Sequence, residues 1–370
     1  MNIHFLITHS YGELDIIAPM INELRQKNKV KNITIIITVK QIYLNYEKDI
    51  FYKNFFLKKN VIIKFSPLAS KFNKRPKNKY IGLIYKIFCS FFFIIKNIPI
   101  LYSNAIFYEI TNQISNDTIF VILNNFLKKK FFIYHHAHAI PPSLINYNMK
   151  RVIPKNYTFL AFSPINTDWY KSFGYKNLKL IGFPKLLLTW KTYINNYKLE
   201  SFPNEYAVIL TRPPSTFYLT KKNYKFLLNS SIKQIINLFP NLKILIKRHP
   251  REKSELIFQN LLKKFCKNKN IEIVDHNSAL LARNAKFVIS FWSSAILDTL
   301  IFKTPCIEYF RSHKKFFIVE PDGSTYKNVG FISTSKEKKL KSFLINVKNK
   351  KFNKVYKNVN ILKPNLKDLL

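Results

Sequence analysis

Glycine is scarce in this chain, with six in 370 residues. Cysteine, methionine and tryptophan are scarcer, at three each. The cysteines, Cys89, Cys266 and Cys306, are odd in number and far apart, with no Cys-x-x-Cys pair. That excludes a disulfide framework and favours a reducing, cytoplasmic compartment. The opening MNIHFLITHS lacks a basic n-region and a cleavage site, so no signal peptide is expected there. No internal repeat is present, which excludes a repeat array. An uncharged run long enough to span a bilayer is also missing. The most apolar segment, Tyr80–Tyr108, is interrupted by Lys86 and Lys96 and broken by Pro99. It reads either as a buried core helix or as an interfacial helix whose aromatic and lysine-rich flanks suit a headgroup boundary.

Acidic residues are few, 20 against 61 Lys and Arg, for a formal net charge of +41. One reading is an acidic partner: nucleic acid, anionic lipid or a phosphorylated acceptor. The other is codon bias, because abundant Lys, Asn, Ile, Phe and Tyr with little Gly is the composition of an AT-rich genome. No helix-turn-helix, RNP or zinc-finger pattern is present, so a nucleic-acid partner is not expected. An anionic membrane surface is.

Hydrophobic residues make up 47% of the chain, enough for a core in each of two domains. Short β-rich runs alternate with longer helical runs, which predicts an α/β fold with largely parallel sheets. Strands are predicted at Asn2–Thr8, Asn32–Val39, Val61–Phe65, Thr118–Leu123, Lys130–Tyr134, Thr158–Ser163 and Leu178–Ile181. The spacing of Leu14, Ile17, Ala18, Ile21 and Leu24 predicts a helix over Glu13–Lys27. Ile181-Gly182-Phe183-Pro184 reads as a boundary, and Thr192–Asn204 is polar. The expected division is therefore 1–182, a linker over 183–204, and 205–370. In the second half the alternation restarts, with strands at Tyr206–Thr211, Leu242–Lys247, Ile271–Val274, Phe287–Ser290 and Cys306–Tyr309. Helices are expected at Tyr224–Leu238, Glu252–Cys266, Ala279–Asn284, Ser293–Phe302 and about Ser335–Val347. Two such halves would face a central cleft, and ligands of open α/β sheets bind beyond the carboxyl ends of strands.

Four strand-end motifs carry candidate chemistry. In Lys247-Arg248-His249-Pro250 an imidazole sits where it can donate to a phosphate oxygen, with Arg248 adding charge. A plain surface basic cluster is the alternative. In Ser290-Phe291-Trp292-Ser293-Ser294 a strand ends, hydroxyls follow and a helix begins. Ser293 is either only an N-cap or part of a phosphate site at the helix start. In Ser10-Tyr11-Gly12-Glu13, Gly12 uses one of the few glycines, and Glu13 either complements the helix dipole or acts as a general base. His135-His136-Ala137-His138 holds three of the eight histidines. It suits acceptor or phosphate contacts or a structural role. No metal is expected, because no Cys- or His-rich partner segment completes a ligand set.

LIKRHP and SFWSSAILDTLIFKTPCIEYF together resemble the carboxyl-terminal halves of bacterial polysialyltransferases and CDP-glycerol glycerophosphotransferases. THSYGELDIIAPMINEL resembles the start of Kdo transferases and, to a lesser degree, of UDP-GlcNAc 2-epimerases. The resemblance implies a GT-B-like fold of two Rossmann-like domains. It implies that His249, Ser293 and Ser294 hold a nucleotide phosphate, and that Glu13 is the catalytic base. Gly12 and Arg248 would line the same ligand, and Glu308, ending its strand, either meets a ribose hydroxyl or is a surface residue. Where the epimerases carry Arg-Pro-Glu and Gly-Gly, this chain has neither the Arg-Pro nor the glycine pair. Where the glycerophosphotransferases carry Asp-Tyr before the serines, it has Phe291-Trp292.

The expected function is a metal-independent, cofactor-free glycosyltransferase of cell-surface polysaccharide synthesis. It would move a sugar or a polyol phosphate from a CMP-, CDP- or UDP-linked donor to a glycan or lipid-linked acceptor, peripheral to the inner face of the plasma membrane. Glu13 would deprotonate the acceptor, with His136 or His138 as the alternate base. The rivals are a UDP-GlcNAc 2-epimerase-like enzyme and a non-catalytic basic protein that binds membranes or nucleic acid.

Overall fold

Apolar runs such as HFLI, ITIII and AVIL have no polar face, so a strand made from them must be covered on both sides. The computed structural model builds two all-parallel sheets from them. It describes residues 1–8, 10–27, 29–67, 79–109, 129–134, 157–172, 174–198, 205–214, 219–250, 252, 256–311, 326–327, 330–351, 362–366 and 369. These fall into two compact units, one running up to Trp190 together with the residues from Lys363 on, the other between Lys191 and Leu362.

The first unit holds β1 (Asn2–Ile7), β2 (Asn32–Ile37), β3 (Val61–Phe65), β4 (Ala105–Glu109), β5 (Phe131–Tyr134), β6 (Tyr157–Ala161) and β7 (Leu178–Leu180). Their order in the sheet is β3-β2-β1-β4-β5-β6-β7. Helix α1 (Glu13–Leu24) follows β1, α2 (Lys40–Glu47) and α3 (Ile50–Lys58) follow β2, and α4 (Lys79–Lys96) precedes β4. Phe5, Phe107 and Phe132 share one register position on β1, β4 and β5. Their rings stack at 4.6 and 4.9 Å between centroids. Helix α5 (Pro164–Ser172) joins β6 to β7, and α6 (Leu188–Asn196) follows. Gly182 has φ +68, and a Cβ there would overlap the Lys363 backbone, whose neighbour Asn365 donates its N–H to the Ile181 carbonyl at 2.7 Å. Glycine is thus required at 182 both by its backbone angle and by a close approach.

The second unit holds β8 (Tyr206–Leu210), β9 (Lys243–Lys247), β10 (Ile271–Val274), β11 (Ala285–Ser290), β12 (Cys306–Tyr309) and β13 (Ile332–Thr334), ordered β10-β9-β8-β11-β12-β13. Helices α7 (Lys221–Leu238) and α11 (Glu337–Lys348) contribute Tyr224, Leu227, Leu340 and Phe343 to its core. Helix α8 (Leu256–Phe265) follows β9, and α9 (Ser278–Asn284) precedes β11.

Several sequence expectations change. The segment 80–108 is not one helix. It forms α4, a 3-10 turn over Ile98–Tyr102 and the central strand β4, divided at Lys96-Asn97 and at Ser103-Asn104. The predicted helix Ser293–Phe302 is a 3-10 turn, Ser294–Asp298, followed by a short α10, Thr299–Phe302. The Thr299 hydroxyl donates to the Ile296 carbonyl three residues back at 2.7 Å, which suits the tighter turn. Within the expected linker 183–204, Leu188–Asn196 is helical and buries Trp190 and Ile194. The strand predicted at Thr118–Leu123 lies outside the described residues.

Candidate functional site

In each sheet the strand order reverses at one point, between β1 and β4 and between β8 and β11. Crevices for ligands open beyond the carboxyl ends at such points. In the second unit that place is occupied by Thr211-Arg212 after β8 and Phe291-Trp292-Ser293 after β11, with Arg248-His249 one strand away after β9.

Thr211 and Arg212 join the two motifs. The Thr211 N–H donates to the Lys247 carbonyl at 3.1 Å, and its hydroxyl lies 3.2 Å from that carbonyl and against the Glu252 carboxylate. The Arg212 guanidinium donates to the Trp292 carbonyl at 2.6 Å and sits 5.0 Å from the centroid of the Trp292 ring. Trp292 has φ +52, a left-handed conformation that is costly for a bulky side chain. Phe291 keeps the sheet pairing up to that point by donating to the Leu210 carbonyl at 2.9 Å. Ser293 then donates its N–H to the Ser290 hydroxyl at 3.3 Å, while its own hydroxyl accepts from Ala295 N–H at 3.4 Å. Ser293 is half-buried and Ser294 exposed.

Beneath His249 lies Glu252, with no exposed surface. Its carboxylate accepts from the His249 backbone N–H at 2.9 Å, from the Tyr224 hydroxyl at 2.5 Å and from the Thr211 hydroxyl. Burial pushes this carboxyl above its ordinary range, against those hydrogen bonds and the Arg248 charge, which pull it down. The His249 turn is therefore tied from below to β8 and α7. Arg248 bonds Asp275 beyond β10 at 3.0 Å. Glu308 is fully buried on β12, where the Ser333 hydroxyl donates to it. Burial and then Glu308 raise the Tyr326 hydroxyl, and Arg212 opposes them, so these three groups share one neighbourhood.

In the first unit the turn after β1 closes on Glu13. Its carboxylate oxygens accept from Thr8 N–H at 3.2 Å and Ser10 N–H at 2.7 Å, and the residue has no exposed surface. The Gly12 N–H donates to the Ser10 hydroxyl at 3.1 Å, with φ −64, an angle any residue adopts. Glu109 ends β4 and Tyr134 ends β5, both fully buried. The Tyr134 hydroxyl is held well above its usual range by burial, then by Glu13 and Glu109. The three groups thus meet at this sheet's own reversal point. His136 and His138 lie outside the described residues.

Sequence reasoning missed Thr211, Arg212, Glu252, Glu109 and Tyr134. Thr-Arg-Pro-Pro after a buried strand was a readable signal for the first two, since a cation followed by prolines at a strand end marks a turn with charge at the ligand edge. Glu109 and Tyr134 become visible once β4 and β5 are recognised as neighbours.

No family model matches the chain, and no curated protein does. Solved structures do. UDP-GlcNAc 2-epimerase of Methanocaldococcus jannaschii, in complex with UDP-GlcNAc and UDP, is 17% identical with a TM-score of 0.58, over 98% of this chain and 96% of that one. Staphylococcus aureus MnaA with UDP is 10% identical with a TM-score of 0.63, over 99% and 93%. A glycosyltransferase from Rickettsia africae is 11% identical with a TM-score of 0.54, over 97% and 90%. At these identities the likeness concerns the fold: two Rossmann-like domains, GT-B-like, along nearly the whole chain.

Proposed function

We propose that the chain is a nucleotide-sugar glycosyltransferase whose second unit holds the donor phosphate at the ends of β8, β9 and β11. The observation that carries this reading is Thr211-Arg212, which links the His249 turn to the Trp292–Ser293 turn at the sheet's reversal point. The turns that carry a cation, an imidazole and hydroxyls are thus tied together at the strand ends, where a phosphate would enter. In the transfer step an acceptor hydroxyl loses its proton and attacks the anomeric carbon, and the sugar–phosphate bond breaks. The nucleotide phosphate leaves with negative charge, which Arg212, His249 and Ser293 stabilise. Ser294 and Gly12 would line the ligand, Arg248 would add to the field, and Glu308 would reach the ribose only if its burial opened. Glu13 is the proposed base, with His136 and His138 as alternates. The acceptor is a glycan or a lipid-linked saccharide of surface polysaccharide synthesis, and the reaction needs no metal or cofactor.

A second reading is an epimerase acting on UDP-GlcNAc, favoured by the likeness to the Methanocaldococcus jannaschii UDP-GlcNAc 2-epimerase. Against it stand the missing Arg-Pro before Glu13 and the Ser293-Ser294 pair in place of two glycines.

The test is a thermal-shift panel of CMP, CDP, UDP, GDP and their sugar conjugates, since a ligand of the folded state raises the melting temperature by mass action. One nucleotide series should stabilise the protein, and His249→Ala and Arg212→Ala should each lower that shift and cut turnover roughly 100-fold. No shift with any nucleotide would remove the reading. Incubating the matching nucleotide sugar without acceptor separates the enzymes: a C2-epimerised product marks the epimerase, and nucleotide release only with added saccharide marks the transferase.

A further inference from the structure

Helix α4 has one buried side, with Ser90, Phe93 and the following Asn97 facing in. Phe93 and Ile100 join the core formed by Leu6, Ile36, Ile106 and Tyr108. The opposite side is unusual because it is equally apolar. Ile84, Phe88, Phe92 and Ile95 are 68, 69, 64 and 62% exposed, and Tyr80, Ile81, Ile87 and Phe91 accompany them. These positions recur every three or four residues, so they form one continuous stripe along the helix. The stripe runs on past the helix end. Exposed Ile98 and Tyr102 border a largely apolar cavity of about 400 Å³, whose wall includes exposed Ile62 and Lys64 from the edge strand β3. An apolar surface of this kind on a folded unit marks something that covers it.

Charge identifies the cover. Between Asp49 and Glu109 the chain carries eleven Lys and Arg and not one acidic residue. Lys96, which ends α4, and Lys64, in the wall of the cavity, are exposed. A second copy of the chain, placed face to face by a two-fold axis, would set this positive rim against itself. An anionic bilayer complements both parts: aromatic and aliphatic side chains enter the boundary of headgroups and acyl chains, while lysines remain at the phosphates. No helix among the described residues is long and apolar enough to cross a membrane, so the stripe would lie in the interface plane. We propose that the outer face of α4, with the Ile98–Tyr102 turn, seats the first unit on anionic lipid bilayers. This inference does not rest on the transferase reading, and a binding assay tests it whatever reaction the chain catalyses.

The test uses the full chain and flotation with vesicles of phosphatidylcholine alone or with about half phosphatidylglycerol. The wild type should float with the anionic vesicles and hardly with the neutral ones. A triple variant, Phe88→Ser, Phe91→Ser and Phe92→Ser, leaves the charge unchanged and should weaken binding roughly ten-fold or more. A control, Leu188→Ser with Leu256→Ser, removes exposed apolar side chains elsewhere and should bind as the wild type does. Circular dichroism checks that each variant folds. As a measurement that needs no variant, hydrogen exchange of residues 79–102 in the wild type should slow when anionic vesicles are added. The proposal is overturned if the wild type stays unbound, if the folded triple variant binds like the wild type, or if exchange over 79–102 is unchanged by vesicles. It is equally overturned if the triple variant only dissociates a dimer, which would make a second copy the cover.

Discussion

Glu252 sits in His249-Pro250-Arg251-Glu252-Lys253, a stretch that reads as solvated surface charge. Folding makes it a buried acceptor for two hydroxyls and a backbone N–H. Glu252→Ala would leave those donors without a partner in a space closed to water, at a cost of about 3 kcal/mol. Glu252→Gln keeps one accepting oxygen and should lose about half as much. Urea unfolding midpoints compare the three proteins, and a loss under about 1 kcal/mol for the alanine variant would remove Glu252 as the support of the His249 turn. His4 is the other residue whose burial sets a measurable property. Ser103 donates its single hydroxyl proton to the Ala105 carbonyl at 2.8 Å, so it accepts from His4 Nδ1–H at 3.0 Å. Burial first, and Lys64 second, lower this imidazole from 6.5 to about 4. Between those two values the unfolded chain binds the proton and the folded chain does not. Stability is therefore complete above about 6.5 and falls as the pH drops towards 4, by about 3 kcal/mol in all. Unfolding at pH 7 and at pH 4.5 should show that fall, and His4→Gln should flatten it.

At the scale of elements, the strands that were legible are short apolar runs bounded by polar residues, at a sheet edge as well as inside it. Val61–Phe65, Ile271–Val274 and Cys306–Tyr309 have the predicted ends. β4 was missed although Ser103-Asn104 stand before it and Glu109 ends it, because its run is short and the whole stretch 80–108 reads as one apolar segment. β13 is three residues, too short for alternation to appear. Helix α6 was hidden by polarity: Thr189, Lys191 and Asn195 dominate its reading, although Trp190 and Ile194 alone anchor it. The same logic divides the candidate site. His249 and Ser293 were readable because each follows a recognisable strand and precedes a helical or 3-10 turn. Their connection was not, because it depends on β8 lying between β9 and β11, and strand order is a property of the sheet rather than of any one segment.

The whole molecule carries +41, and among the described residues ion pairs are few and mostly at the surface. Such pairs contribute about 0–1 kcal/mol each, whereas 61 cations against 20 anions repel one another throughout the folded state. Salt weakens both, but repulsion is the larger sum. Raising ionic strength from about 0.01 to 0.1 M shortens the screening length from about 30 to about 10 Å. Sodium chloride should therefore raise the melting temperature by several degrees over that range, then level off. A fall would mean that attractive pairs dominate after all. The same titration isolates the proposed phosphate site from bulk charge. At equal ionic strength, screening is the same for chloride and for pyrophosphate. Any additional stabilisation by pyrophosphate then reports anion binding at discrete positions. If those positions are the ends of β8, β9 and β11, Arg212→Ala should remove the additional stabilisation and leave the chloride response intact, since one charge in 61 barely alters the overall field.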